Sequence, residues 1–195
     1  AHITCLDFSP EMLSHCKLKE SAFETVCADI EDLPFKKPQY DVIVSGLTLH
    51  WCKEIEKIFY DIYNILNENG IFIFTTVGPD TLSELKETYK SVDDKDHINI
   101  FHDMHTYGDL LLNIGFDDPV VDVEKIIMEY SSVQNVFNSI KKIGANTLTH
   151  SHRNKLTKSM YKKIVDLYPK TKKMTYPVTY EVIYGTSWKK IKKPD

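Results

Sequence analysis

The sequence has 195 residues, enough for one domain, and its 42% hydrophobic and 27% charged residues are typical of a globular chain rather than a disordered or fibrous one. No run approaches the roughly 18 to 20 apolar residues that would cross a bilayer, and no secretory signal pattern is visible, so we expect a cytoplasmic protein. The charge is unevenly spread, because residues 1–130 hold 10 basic and 25 acidic side chains, whereas residues 131–195 hold 14 basic and 3 acidic ones. We therefore expect a single domain, 1–195, in which residues 131–195 form a basic, helical region that faces a substrate or partner and ends in a final strand.

The first half of the chain alternates short β-rich runs with helical signals. In chain order the pattern predicts a strand at 2–6, a short helix that opens at Ser9-Pro10 and reaches about Cys16, strands at 23–27 and 41–45, a helix at 54–66 stopped by Asn69-Gly70, and a strand at 71–77. The Val42-Ile43-Val44 run predicts a strand that is buried on both faces, as in a parallel sheet.

The second half continues the alternation. It predicts a helix capped by Asp80 that reaches about Tyr89, a helix at 107–114 stopped by Gly115, a β-rich stretch at 119–128, helices at 133–143 and up to about Tyr168, and a strand at 178–188. Strands that alternate with helices favour an α/β domain of three layers with a mostly parallel sheet.

Three predicted strands end in residues suited to binding a nucleoside. A carboxylate at Asp7 can accept hydrogen bonds from both hydroxyls of a ribose. After the second strand, Asp29 could accept from an exocyclic adenine amine while the Ile30 amide donates to a ring nitrogen. Ser45-Gly46 ends the third strand, where a residue without a side chain allows close approach of the backbone to a ligand. An isolated aspartate at a strand end is more often a helix cap than a ligand contact, and the succession of the three strand ends is the more specific signal.

The same segments resemble successive motifs of class I S-adenosylmethionine-dependent methyltransferases. The matching stretches read LDFSPEML (6–13), ADIEDLPF (28–35) and YDVIVS (40–45). The resemblance implies a Rossmann-like fold with an antiparallel final strand, and S-adenosyl-L-methionine as cofactor. By that resemblance the cofactor-binding residues are Asp7 for the ribose, Met12 against the adenine, Ala28, Asp29 and Ile30 at the adenine edge, and Ser45 with Gly46 along the methionine part.

Further stretches are similar to the malonyl-acyl-carrier-protein O-methyltransferases of biotin synthesis. They read LTLHW (47–51), GPDTLSEL (78–85), DMHTYGD (103–109), IGAN (143–146) and YPVTYE (176–181). The resemblance implies methylation of the free carboxylate of a malonyl thioester, carried by acyl-carrier protein or by coenzyme A. The family's first strand and glycine-rich loop have no counterpart here, and that strand would lie in the middle of the sheet, between the strands ending at Asp7 and Ser45.

A malonyl carboxylate is ionised at neutral pH, so this reaction needs no general base and we assign no catalytic acid or base. Arg153, the only arginine, is the candidate for gripping the carboxylate, with a lysine as the alternative. His50 and Trp51 are expected to face the reacting centre, although Trp51 could equally belong to the core. The spacing of the histidines matches no metal-binding signature, so no metal is expected.

The basic C-terminal region offers a docking surface for an acidic carrier protein, led by Lys155, Lys158, Lys162 and Lys163, or it simply neutralises the acidic part of the fold. We expect neither nucleic-acid nor membrane partners. Two other functions remain open at this point. The chain also resembles, less closely, a mitochondrial group of cofactor-binding hydroxylases and assembly factors, and it could be a non-catalytic module that binds a partner.

Overall fold

A computed structural model describes residues 2–20, 22–93, 97–142 and 156–190. Its elements, in chain order, are β1 (Thr4–Asp7), α1 (Pro10–Lys19), β2 (Glu24–Cys27), β3 (Tyr40–Gly46), α2 (Ile55–Ile65), β4 (Leu66–Val77), α3 (Ser83–Lys90), α4 (Met104–Ile114), β5 (Asp117–Tyr130), α5 (Val133–Lys142), α6 (Lys158–Leu167) and β6 (Tyr176–Lys189). Single turns of 3-10 helix follow β2 at Ile30–Asp32 and β3 at Leu49–Trp51. No helix in these ranges is long and apolar enough to cross a membrane.

Local sequence accounts for the helix ends. Ser9 caps α1 by accepting from the Met12 amide, and Pro10 supplies the φ that the first helical position needs. Asp103 caps α4 in the same way, and Gly115 ends it at φ 106°, a left-handed conformation that suits glycine.

The strands form two sheets. β1 and β2 pair in parallel, and the second sheet has the order β3-β4-β6-β5. β3 and β4 are parallel, while β6 runs antiparallel to both of its neighbours, so only β6 opposes the direction of β3, β4 and β5. The prediction of a mostly parallel sheet with an antiparallel final strand is confirmed.

Two apolar clusters lie on opposite faces of the larger sheet. The first joins α2 and α4 to β4 and contains Phe59, Phe74, Tyr107 and Ile183. The second joins α3, α5 and α6 to the start of β6 and contains Val178. Because side chains alternate along a strand, Val178 and Ile183 of β6 point to opposite faces, which places helices on both sides of the sheet and gives the expected three layers.

The prediction that β3 is buried on both faces is wrong. Val42 is 53% exposed and Val44 is 69% exposed, whereas Ile43 is partly buried against the first cluster. The sequence pattern reports apolar character, but burial also needs a covering element. Val42 and Val44 instead line the open space beside β3.

Several element boundaries also differ from the sequence prediction. Helix α2 ends at Ile65 and β4 begins at once, so Asn69-Gly70 lies in an irregular turn within β4, where Asn69 has φ 61°. Helix α3 begins at Ser83 after Leu82, and the Asp80 carboxylate binds Lys125 instead of capping it. Helix α1 reaches Lys19, beyond the predicted stop near Cys16.

Candidate functional site

A cavity of about 680 Å³ lies between the facing strands β1 and β3. It extends along both strands, from Thr4 and Tyr40 at their beginnings to Asp7 and Gly46 at their carboxyl ends. The predicted cofactor-binding residues that line it are Asp7, Met12, Ala28, Asp29, Ile30, Ser45 and Gly46. The carboxyl ends of three strands therefore meet at one cavity, as the sequence argument requires.

Both strand-end aspartates are held in place by their own backbone. Asp7 Oδ1 accepts from the Ser9 amide at 2.8 Å, and Asp29 Oδ1 accepts from the Glu31 amide at 2.9 Å. Asp29 is also the N-cap of the 3-10 turn that follows it. Each side chain thus makes the capping contact expected of an ordinary aspartate while lining the cavity, so the two interpretations of the sequence are not exclusive.

The end of β3 leaves polar capacity and space at the cavity wall. Ser45 is buried, and its Oγ has no hydrogen-bond partner among the described residues. A Cβ added to Gly46 would meet no atom within 4 Å. Leu47 follows in the left-handed region at φ 49°, held there by hydrogen bonds from its amide to the Thr75 carbonyl and hydroxyl. An unpaired hydroxyl beside open space fits the polar amino-acid end of S-adenosylmethionine.

Glu31 fixes the Asp29 loop against helix α2, a role that the sequence analysis missed. Its Oε1 accepts from the amides of Lys53 and Glu54 at 2.6 and 3.0 Å, where α2 begins without a side-chain cap of its own. The Lys57 ammonium donates to the Glu31 carbonyl from the first turn of α2. No local sequence pattern indicates that Glu31, 22 residues earlier in the chain, accepts from the amides at the start of α2.

Trp51 lines the cavity, and His50 lies behind it. The His50 ring is 4.8 Å from the Trp51 ring and 5.9 Å from Phe101, centroid to centroid. Burial lowers the pKa of His50 to about 4, so the imidazole is neutral at pH 7. His50 can therefore offer a hydrogen bond or an aromatic wall to a substrate, but no positive charge, and its predicted contact with the reacting centre stays a prediction.

The remaining expectations concern Arg153 and metals. Arg153 and Lys155 lie outside the described residues, so their assignment also stays a prediction. Within the described ranges, no three side chains of the metal-binding types gather to hold an ion. The four cysteines form no C-x-x-C pair and lie mostly in or beside apolar segments, which predicts reduced thiols in the core. All four are free thiols in the structure, but none of them is fully buried, so the predicted core position is wrong.

Known structures share this fold. The YcgJ protein of Bacillus subtilis superposes with a TM-score of 0.66 at 12% identity over 98% of this chain and 83% of its own. The phosphoethanolamine N-methyltransferase 2 of Haemonchus contortus, solved with S-adenosyl-L-methionine, gives a TM-score of 0.55 at 18% identity over 97% and 44% of the two chains. A family model described as a methyltransferase domain matches residues 1–74. The fold is that of a methyltransferase domain.

Sequence relatives narrow the class further. The malonyl-[acyl-carrier protein] O-methyltransferase of Gallionella capsiferriformans is 35% identical over 200 residues, which cover 97% of this chain and 69% of the relative. The enzyme of the same name from Laribacter hongkongensis is 34% identical over 207 residues, covering 100% and 70%. The chain belongs to the malonyl-acyl-carrier-protein O-methyltransferase family. This membership favours a methyltransferase over the hydroxylase and the non-catalytic module that the sequence analysis left open.

Proposed function

We propose that this chain transfers the methyl group of S-adenosylmethionine to the free carboxylate of a malonyl thioester, a step of biotin synthesis, with malonyl-acyl-carrier protein as the preferred substrate and malonyl-CoA as the alternative. The observation that carries the proposal is the convergence of Asp7, Asp29 and Ser45 on one cavity in a chain of this family. Two carboxylates and an unpaired hydroxyl match the ribose, the adenine edge and the amino-acid end of that cofactor.

Bound S-adenosylmethionine supplies an electrophilic methyl group on a positively charged sulfur. In the transfer one carbon–sulfur bond breaks and one carbon–oxygen bond forms, the sulfur keeps the electron pair, and no proton moves. The acceptor carboxylate, with a pKa near about 4, is already ionised at neutral pH. The protein therefore has to bind both substrates, align the carboxylate with the methyl group and exclude water. Such alignment can lower the barrier by up to roughly 7 to 11 kcal/mol.

The described residues divide this work among themselves. Asp7 holds the ribose hydroxyls, and Asp29 with the Ile30 amide holds the adenine edge. Met12, which is half exposed on α1, packs on the adenine face. Trp51 lines the same cavity, and we assign to its ring the shielding of the acceptor from water. Neutral His50 behind Trp51 leaves recognition of the acceptor's negative charge to a lysine or to Arg153.

Carrier-protein docking is assigned to the basic C-terminal region. Lys158, Lys162 and Lys163 are exposed on α6, which packs through Ile164 against the second apolar cluster. A helix anchored on one side with lysines on its outer side can attract an acidic partner, and that attraction weakens with added salt.

Incubation of the chain with methyl-labelled S-adenosylmethionine and malonyl-acyl-carrier protein tests the proposal. We expect label in a methyl ester, released by mild base, and none with acetyl-acyl-carrier protein, which has no free carboxylate. Arg153→Ala is expected to reduce turnover while cofactor affinity is kept. Cofactor binding without transfer to the malonyl substrate would refute the assigned reaction, and unchanged kinetics in Arg153→Ala would remove that residue from the site.

A further inference from the structure

A second, smaller pocket of about 290 Å³ lies beyond the carboxyl end of β4. Pro79 follows that strand at one side of the pocket, and α3 contributes Lys86 and Lys90. Phe101 and Ile98, from the segment before α4, complete a largely apolar wall. The pocket thus combines the apolar surface of an organic-ligand site with two positive charges.

Lys86 is half-buried in this pocket and is only partly satisfied there. Its Nζ donates to the Pro79 carbonyl at 2.7 Å and lies 5.2 Å from the centre of the Phe101 ring. An ammonium has three N–H donors, so two remain for a ligand. Burial lowers the pKa of Lys86, since water solvates the charge poorly there.

Among the described residues, the acidic groups that act on the Lys86 charge are Asp80 and Glu181, and both have other hydrogen-bond partners. Asp80 binds the Lys125 ammonium, and Glu181 Oε2 accepts from the Asp80 amide at 2.8 Å. Within the described ranges, Lys86 forms no ion pair at 4.0 Å or less. A desolvated ammonium with free donors and no carboxylate in contact gains more from binding an anion than a solvated surface lysine does.

The Lys86 pocket and the cofactor cavity are joined by a row of aromatic rings. Phe101 lies under the Lys86 ammonium and against His50, and His50 in turn contacts Trp51 on the wall of the cavity. The two sites also open at the same sheet edge, because β3 and β4 are parallel neighbours that end at Gly46 and Val77. A ligand in the Lys86 pocket would therefore lie at the same end of the sheet as a ligand bound at Asp7, Asp29 and Ser45.

We propose that Lys86 binds an anionic group of the methyl acceptor, with Phe101 and Ile98 holding the apolar part of its thioester arm. The inference rests on the proposed function and adds the acceptor subsite to it. Two groups of a malonyl thioester on its carrier share the required chemistry of anionic oxygens: the free carboxylate and the phosphate of the carrier's pantetheine arm. Lys90, exposed at the pocket rim on the next turn of α3, adds a second positive charge.

The test compares Lys86→Met with wild type on two probes, malonyl-pantetheine, which has no phosphate, and malonyl-phosphopantetheine. Methionine keeps most of the apolar stem and removes the charge. For Lys86→Met we expect KM to rise about 10- to 100-fold with little change in kcat, because one charge-assisted contact is lost. Lys86→Arg should restore most of the lost affinity, because it keeps the positive charge. Lys37→Met, exposed just before β3 at the opposite sheet edge, is the matched control and should leave KM unchanged.

A higher KM on both probes assigns Lys86 to the carboxylate, and a higher KM only on the phosphorylated probe assigns it to the phosphate. An unchanged KM on both probes overturns the inference while leaving the proposed reaction intact. Equilibrium binding of malonyl-acyl-carrier protein, measured with S-adenosylhomocysteine present, provides a readout without turnover. If wild type transfers no methyl group, the proposed function fails, and this binding measurement still decides whether Lys86 holds the carrier-bound anion.

Discussion

Acidification should destabilise this protein through His50, a side chain buried beside the cofactor cavity. Burial lowers its folded-state pKa to about 4, whereas the unfolded chain titrates near the ordinary value of 6.5. Between these two pH values His50 binds a proton in the unfolded state but not in the folded state. The stability due to neutral His50 is therefore complete above about pH 6.5, falls as the pH drops towards 4, and changes no further below that.

The size of the effect follows from the two pKa values. A full shift of this kind corresponds to about 3 kcal/mol, and lowering the pH from about 7 to about 4.5 should remove roughly 2 kcal/mol of it. Urea unfolding at a series of pH values measures the free energy of unfolding directly. His50→Phe is the matched variant, because it keeps an aromatic ring against Trp51 and Phe101 but cannot bind a proton.

Any other pH-dependent contribution to stability is shared by wild type and His50→Phe. The informative quantity is thus the difference between wild type and His50→Phe, which should change by roughly 2 kcal/mol across the range. A difference that does not vary with pH would refute the assignment of a buried, neutral imidazole. It would also reopen the possibility that a charged His50 recognises the acceptor carboxylate.

Three further outcomes are expected. Asp7→Asn should weaken S-adenosylmethionine binding about 10- to 100-fold, measured by isothermal titration. The variant should stay folded, because an amide oxygen can still accept from the Ser9 amide. An unchanged Kd would exclude Asp7 from the ribose site. Glu31→Ala should lower the free energy of unfolding by about 1 kcal/mol by removing the acceptor at the start of α2, with Glu31→Gln closer to wild type in chemical denaturation. Gly185→Ala would place a Cβ 2.1 Å from the enclosed Phe74 ring. The free energy of unfolding should fall by about 1 to 3 kcal/mol, which calorimetry would detect as a lower Tm. Equal Tm values would show that the ring can move.

Local chemistry made most of the fold predictable. The spacing of apolar residues predicts helix α2, and the β-branched and aromatic residues predict β6. Where the prediction failed, a partner distant in sequence decided the outcome. Asp80, which reads as a helix cap, is bound by Lys125 from β5. The Val42-Ile43-Val44 run reads as core, yet its burial depends on an element packing over that face.

The candidate site divides in the same way. Asp7, Asp29 and Ser45 could be predicted because ends of parallel strands converge by topology alone. The Lys86 pocket could not, since its walls come from α3, the end of β4 and the segment before α4, which no periodicity connects. The role of Glu31 could not be predicted either, because its carboxylate accepts from amides 22 and 23 residues later in the chain.

The division of the strands between two sheets affects how the molecule should respond to its cofactor. Asp7 ends β1 and Asp29 follows β2, while Ser45 and Gly46 end β3 in the other sheet, and no backbone ladder joins these sheets among the described strands. A nucleoside bound by both groups would contact residues of both sheets at once. Its binding energy would then appear partly as slower amide exchange in β1 and β2, at positions that the ligand itself never touches.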